Sequence, residues 1–171
     1  MDLKKIIRNF PDFPVKGILF RDITPLLKDP KILDYVVTHL AEKYANSKID
    51  FVAGIESRGF LFGVTLASRL GKGFVLIRKE GKLPGKTVKS SYTIEYGSAT
   101  MEMQEDSIQY GKKILIIDDL LATGGTAVAA VQLVENLGGI VEKLVFIIEL
   151  AGLNGREKLS SYDTYSMVVY D

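Results

Sequence analysis

The segment from Ile114 to Thr126 restricts the possible fold of this chain more than any other. It reads Ile-Leu-Ile-Ile-Asp-Asp-Leu-Leu-Ala-Thr-Gly-Gly-Thr, so a short apolar run leads into two acids and then a glycine pair. The apolar run predicts a buried strand, and the residues from 126 to 137 predict a helix directly after the loop. A strand, a glycine loop and a helix in this order are typical of α/β proteins, whose ligands bind beyond the carboxyl ends of the strands.

The rest of the chain repeats this alternation of strands and helices. Apolar runs or alternating patterns predict extended segments over residues 18–23, 51–55, 74–77, 92–96, 99–103, 140–150 and 167–170. Helices are predicted over residues 2–9, 30–45 and 59–70, and a basic loop over 78–89. We therefore expect an α/β fold with a largely parallel central sheet, in one domain over residues 1–171.

Composition excludes several classes of site. The 171 residues include no cysteine and a single histidine, so disulfides, thiolate zinc sites and mechanisms with two imidazoles are excluded. The net charge of +1 gives no general attraction to nucleic acid or membranes. No apolar run reaches the ~18–20 residues of a membrane span, and Met1–Phe10 does not resemble a signal peptide. We expect a cytoplasmic protein that binds neither nucleic acid nor membranes.

The loop after the two acids has the properties of an anion site. Free backbone N–H groups and the helix dipole attract phosphate at the start of a helix. Glycines allow close approach, and threonine hydroxyls add donors. Asp118 and Asp119 can accept hydrogen bonds from sugar hydroxyls. A capped turn beside two solvated acids is the alternative interpretation.

This segment resembles the motif with which type I phosphoribosyltransferases bind 5-phosphoribosyl-1-pyrophosphate (PRPP), and its form is similar to that of the adenine-specific members. The resemblance implies their fold: a largely parallel sheet flanked by helices, a small N-terminal hood (1–30), and a flexible loop and β lid (78–103). It implies that Asp118 and Asp119 hold the ribose hydroxyls and take part in catalysis. By the same match, the 5-phosphate binds Ala122, Thr123, Gly124, Gly125 and Thr126.

The resemblance extends to two further loops. Gly-Ile-Glu-Ser-Arg-Gly at residues 54–59 is similar to the family's pyrophosphate loop, which often has a cis peptide, here expected between Glu56 and Ser57. A salt-bridged surface turn is the alternative. Residues 78–86 match the basic Arg-Lys-x-Gly-Lys-Leu-Pro-Gly pattern of the adenine-specific members, with a solvated, flexible hairpin as the alternative. The pyrophosphate ligands implied by both loops are Glu56, Ser57, Arg58, Arg78, Lys79 and Lys82.

The lid and the N-terminal segment complete the implied site. By the family match, Glu95, in Glu-Tyr-Gly at residues 95–97, is the candidate group for the proton of the base, whereas the sequence alone favours an exposed strand residue. Residues 12–23 match the hood, which implies that Leu19 and Arg21 contact adenine with Leu150 on its other side. Leu19 and Leu150 could equally be ordinary core residues.

The implied activity is transfer of the 5-phosphoribosyl group from PRPP to adenine, which gives AMP and pyrophosphate in purine salvage. The resemblance also implies a Mg²⁺ cofactor, held mainly by substrate and water, and a homodimer. Two alternatives stay open. One is a phosphoribosyltransferase for an oxopurine, and the other is a non-catalytic PRPP-sensing regulator. The sequence shows no helix-turn-helix extension and a net charge of only +1, which disfavours the regulator.

Overall fold

A computed structural model of the protein describes residues 1–94 and 97–171. The chain forms two compact units, residues 1–44 and 45–171. None of the helices in the described part of the chain is both long and apolar enough to cross a bilayer. The single domain over 1–171 stays a prediction.

The first unit consists of a two-stranded sheet followed by two helices. Strands β1 (Arg8–Pro11) and β2 (Leu19–Asp22) pair antiparallel, and helices α1 (Thr24–Lys28) and α2 (Pro30–Tyr44) follow. The predicted helix over 30–45 is confirmed. The Asp29 carboxylate accepts a hydrogen bond from the Lys31 N–H at 2.9 Å, as expected for a residue that caps this helix.

The helix predicted over residues 2–9 is wrong. Only Leu3–Lys5 form a short 3₁₀ helix, and Arg8 begins β1. Arg8 pairs with Asp22 across the sheet, and its Nε lies 2.9 Å from Asp22 Oδ2. This pairing with a residue outside the segment overrides the local helical pattern.

The second unit is a seven-stranded sheet with helices on both faces. The sheet order is β5-β6-β4-β3-β7-β8-β9. Its strands are β3 (Phe51–Ile55), β4 (Gly73–Lys79), β5 (Thr87–Ile94), β6 (Gly97–Gln104), β7 (Lys113–Leu121), β8 (Ile140–Leu150) and β9 (Thr164–Tyr170). Strand β6 pairs antiparallel with both β5 and β4. Strands β3, β4, β7, β8 and β9 run parallel to each other. The predicted α/β fold with a largely parallel sheet is confirmed.

Helices α3 (Arg58–Leu70) and α4 (Gly125–Asn136) cover opposite faces of this sheet. Ala53 and Ile55 share a buried cluster with residues of α4, whereas Gly54 between them faces Phe60 of α3. Successive residues of a strand point to opposite faces, so the two helices lie on opposite sides. Both helices begin just after the carboxyl end of a strand, which places their N-termini at one edge of the sheet.

The basic loop is shorter than the sequence predicts. Residues 78–79 belong to β4 and residues 87–89 to β5, so only 80–86 lie outside the strands. Extended pairing of β5 with β6, from Thr87 opposite Gln104 onward, accounts for the difference. Because the segment is polar and rich in glycine, its sequence shows no strand pattern that would predict this pairing.

Candidate active site

A cavity of about 290 Å³ lies at the carboxyl ends of the parallel strands β3 and β7. Most of the site residues predicted from the sequence for this unit line it. These are Glu56, Ser57, Arg58, Lys79, Asp118, Asp119, Ala122, Thr123, Gly124, Gly125 and Thr126. Loops that are distant in sequence therefore meet at one polar cavity, as expected for ligand sites in α/β sheets.

Residues 122–126, which we call the glycine loop, form one wall of this cavity. Gly124 has φ +79°, a left-handed conformation in which a side chain would be strained, and α4 begins at the next residue. The first N–H groups of a helix have no partner within it, so this wall can bind an anion. The hydroxyl of Thr126 donates to the hydroxyl of Tyr92 at 3.0 Å.

Asp118 and Asp119 form an acidic floor at the end of β7. Asp119 is buried and Asp118 half-buried, and the Asp119 N–H donates to Oδ1 of Asp118 at 2.8 Å. Burial, followed by the neighbouring charge of Asp119, raises the pKa of Asp118 well above its ordinary value. Burial also raises the pKa of Asp119, although Arg58 opposes the rise with its Nε 3.0 Å from Oδ2. The floor thus favours hydrogen-bond donors or positive charge beside it.

The cis peptide expected between Glu56 and Ser57 is confirmed. The Glu56 carboxylate accepts from the Lys79 N–H at 2.9 Å and pairs with the Arg78 guanidinium, with Nε 3.2 Å from Oε2. Burial acts to raise the pKa of Glu56, but these partners outweigh it and the pKa is lowered. Glu56 is therefore an ionised group that ties the end of β4 to the loop after β3.

Comparison with known proteins agrees with this geometry. The sequence pattern of the family described as phosphoribosyl transferase domain matches residues 24–168. The chain belongs to the phosphoribosyltransferase family.

Relatives of the family are similar to the chain over nearly its whole length. The adenine phosphoribosyltransferase of Cenarchaeum symbiosum (strain A) is 51% identical over 170 residues, covering 99% of this chain and 100% of that protein. The crystal structure of the enzyme of that name from Thermoanaerobacter pseudethanolicus is 50% identical, with a TM-score of 0.95 and 98% of each chain covered. This similarity places the chain among the adenine phosphoribosyltransferases and confirms the predicted fold.

A third relative was crystallised with ligands. The adenine phosphoribosyltransferase of Saccharomyces cerevisiae, complexed with D-2,5-dideoxy-2,5-imino-altritol 1,6-bisphosphate and adenine, is 44% identical to this chain. Its TM-score is 0.91, and 96% of each chain is covered. The family fold therefore holds adenine together with a bisphosphate in that protein.

Some residues predicted for the family site do not line this cavity. In the described part of the second unit these are Arg78, Lys82 and Leu150. Arg78 is bound to Glu56 and donates from Nη1 to the Lys82 carbonyl at 3.1 Å. Their roles stay predictions.

Leu19 and Arg21 belong to the first unit, and Glu95 lies outside the described residues. Leu19 is exposed at the start of β2, and Arg21 donates to Asn9 at 2.5 Å within the small sheet. Their proposed roles, and that of Glu95, stay predictions as well.

Sequence reasoning missed Tyr92, Met101, Leu120 and Glu102. The first three line the cavity. Glu102 is only 2% exposed, and its Oε1 accepts from the N–H groups of Lys82 and Leu83, both at 2.9 Å. Oε2 accepts from the Thr87 hydroxyl at 3.1 Å. No local signal could find Glu102, because its backbone partners lie 19 and 20 positions away in sequence.

Proposed function

We propose that this transferase moves the 5-phosphoribosyl group from PRPP to N9 of adenine and releases AMP and pyrophosphate, as a step of purine salvage. The observation that carries the proposal is one cavity that unites the paired acids of β7, the glycine loop before α4, and the loop of Glu56, Ser57 and Arg58. The substrate class follows from the relatives, whose names specify adenine.

The glycine loop is the proposed 5-phosphate site, because it presents the free N–H groups of a helix start. Asp118 and Asp119 then accept from the ribose hydroxyls. As the bond from C1 to pyrophosphate breaks, positive charge builds on the sugar ring, as in glycoside chemistry. The two carboxylates stabilise that charge, and the N9 lone pair of adenine forms the new bond.

Arg58 and Lys79 line the cavity and are proposed to stabilise the charge that grows on the departing pyrophosphate. Arg78 and Lys82 are proposed to join them. Ser57 supplies a hydroxyl and Glu56 holds the β4 end in place. Concentrated positive charge next to a polyanionic leaving group is the expected arrangement for this reaction.

Mg²⁺ is the proposed cofactor. The described residues contain no group of three His, Cys, Asp or Glu side chains that could hold a metal ion. Mg²⁺ at phosphate sites keeps several waters and takes few protein ligands, so the carboxylates of Asp118 and Asp119 beside substrate oxygens fit this mode. When bound, the ion would neutralise part of the charge on the pyrophosphate.

For the base, we propose Leu19, Arg21 and Leu150 as adenine contacts and Glu95 as the group that handles its proton. A homodimer and a cytoplasmic location are also proposed.

Glu95→Gln tests the role proposed for Glu95 and should lower kcat by about 10²–10⁴-fold, while PRPP affinity stays at that of the wild type. An unchanged kcat in a folded protein would remove Glu95 from the mechanism.

The test of the function is a panel of bases. The protein is incubated with PRPP, Mg²⁺ and, separately, adenine, hypoxanthine, guanine and xanthine, and nucleotide and pyrophosphate are quantified. AMP from adenine alone supports the proposal. Turnover of an oxopurine instead contradicts the adenine assignment and keeps the PRPP site. Binding of PRPP without turnover of any base favours a regulator.

A further inference from the structure

The chain around Gly155 lies directly against the glycine loop. A Cβ atom placed on Gly155 would lie 2.1 Å from the carbonyl oxygen of Ala122 and 2.9 Å from the nitrogen of Gly124. A Cβ on Gly124 would in turn lie 2.7 Å from the carbonyl oxygen of Gly155. All these neighbours are backbone atoms, so no side-chain rotation could relieve the contact. Two stretches of main chain are packed as closely as glycine permits.

Arg156 fastens this segment to the sheet. Its Nε donates to Oε1 of Glu149 at 2.9 Å, and Nη2 bonds to the other oxygen of that carboxylate. Nη1 donates to the Thr164 carbonyl at 2.7 Å, and Ser166 donates to Glu149 at 2.7 Å. Glu149 on β8 is only 4% exposed, so the pair is anchored inside the unit. A bidentate arginine–carboxylate pair fixes direction as well as distance.

The far end of the segment is also held. Leu159, which ends the 3₁₀ helix Gly155–Leu159, is 1% exposed. It packs in the same buried cluster as Ala127 and Ala130 of α4. The segment is thus attached both to β8 and β9 through Arg156 and to the helix that follows the glycine loop.

We propose that Gly155 and Arg156 are positioning residues for the 5-phosphate, and that they act through the backbone of the glycine loop. The inference rests on the proposed function, which assigns the phosphate to that loop. Phosphate binding by main-chain N–H groups depends on where the main chain stands. The Gly155 segment fixes that position for Ala122 and Gly124, which line the cavity. A displacement of about 1 Å from such a distant support can cost on the order of 10²-fold in activity.

Gly155→Ala tests the contact, and Gly152→Ala is the matched control. Gly152 lies in the adjoining 3₁₀ helix Ala151–Leu153, where, apart from its chain neighbours, the one heavy atom of the described residues within 4 Å of a new Cβ is the carbonyl carbon of Asp171 at 4.0 Å. Neither glycine has a φ in the left-handed region, so the same methyl group is added without backbone strain at both. Only the substitution at Gly155 pushes on the glycine loop.

The readouts are AMP affinity by calorimetry and the separate KM values for PRPP and adenine. For Gly155→Ala we expect the AMP Kd and the PRPP KM to rise by about tenfold or more, with the adenine KM within about twofold. Gly152→Ala should leave all values at those of the wild type. Unchanged AMP affinity in Gly155→Ala overturns the proposal, and so does an equal loss for PRPP and adenine. Wild-type protein that binds neither AMP nor PRPP would instead refute the proposed function.

Arg156→Lys keeps the test decisive if Gly155→Ala does not fold. Lysine keeps the charge beside Glu149 but loses the planar fork that fixes the segment. We expect AMP affinity to fall by about threefold to tenfold, again with the adenine KM unchanged. A folded Arg156→Lys protein with wild-type AMP affinity, or with an equal loss for both substrates, overturns the proposal.

Discussion

Nε of Arg58 lies 3.0 Å from Oδ2 of Asp119, which joins the loop after β3 to the acidic end of β7. The proposed pyrophosphate ligand and the proposed ribose ligand are therefore partners of each other. The Asp119 side chain is 5% exposed, whereas that of Arg58 is 38% exposed, so Arg58 is the more accessible partner of the pair. In the proposed mechanism this contact is replaced when PRPP binds, with ribose hydroxyls donating to Asp119 and Arg58 contacting the pyrophosphate.

Asp119→Asn is expected to weaken PRPP binding. Each hydrogen bond to a charged group contributes about 1.5–3 kcal/mol, so the Kd should rise roughly 10- to 150-fold. Isothermal calorimetry with PRPP measures the change. Asp106→Asn, which removes the same charge from an exposed turn, is the control and should bind PRPP like the wild type. Wild-type affinity in Asp119→Asn would sink the ribose assignment.

Asp118→Asn should make the protein more stable at neutral pH and less active. The pKa of Asp118 is raised by burial and by Asp119, so ionisation of this acid costs more in the native state than in the unfolded state. The stabilisation from this group is fully present below the ordinary pKa of 3.8 and is lost as pH rises through the native pKa. Asparagine does not ionise and can still accept from the Asp119 N–H.

Thermal unfolding across pH measures this effect. The Tm of Asp118→Asn should exceed that of the wild type by at least about 2 °C at pH 8, and the difference should shrink as pH falls toward 4. A Tm difference that stays constant with pH, or grows on acidification, contradicts the raised pKa. Loss of PRPP affinity in the same variant would show that Asp118 lowers stability but is needed for substrate binding, a stability–activity trade-off.

The sequence predicted the features whose causes are local. The strand predicted over residues 114–117, which lies within β7, the turn at Gly124 and the cap at Asp29 each depend on neighbours within a few residues. Apolar runs, glycine and capping residues carry that information directly. The family resemblance added the meeting of the loops, which no local pattern contains.

The features that sequence reasoning missed depend on distant partners. Arg8 ended in a strand because it pairs with Asp22, and Tyr92 reaches Thr126, which lies 34 positions away. Gly155 could equally have been a simple turn residue, since only its packing against Ala122 shows why a side chain is excluded there. Tertiary contacts of this kind override local propensity and leave no periodic signal.

The Tyr92 ring and Gly125 are expected to be energetically coupled. A Cβ on Gly125 would lie 2.7 Å from Cδ2 of Tyr92, so Gly125→Ala forces the Tyr92 ring away from the glycine loop. We expect Gly125→Ala to lower Tm in the wild-type background and to be neutral or stabilising in a Tyr92→Ala background. Alanine is the better helix former once the ring is gone.

A double-mutant cycle in urea measures this coupling as an interaction energy, expected at about 0.5–3 kcal/mol. The single variants Gly125→Ala and Tyr92→Ala are the controls, because the coupling is the difference between the double variant and the sum of their effects. Additive effects of Gly125→Ala and Tyr92→Ala would mean that the ring and the loop do not touch in solution.

Glu102→Gln should loosen the basic loop of residues 80–86. Burial acts to raise the pKa of Glu102, but the N–H groups of Leu83 and Lys82 and the Thr87 hydroxyl outweigh it, and the pKa falls below 4.5. Its contribution to stability is therefore present above pH 4.5 and is lost as pH falls through the lower native pKa. Glutamine keeps the shape but replaces charge-assisted bonds by neutral ones, which are about half as strong.

We expect Glu102→Gln to lose about 1–2 kcal/mol of unfolding free energy at pH 7, and to approach the wild type in strongly acidic buffer. Urea unfolding at several pH values measures the difference. Glu80→Gln is the control: Glu80 pairs with Lys89 at 2.6 Å but is 52% exposed, so solvent screens the pair and its loss should be clearly smaller than that of Glu102→Gln. Equal losses in the two variants would show that burial of Glu102 confers no added stability, because a solvated pair and a buried, fully bonded carboxylate would then contribute alike.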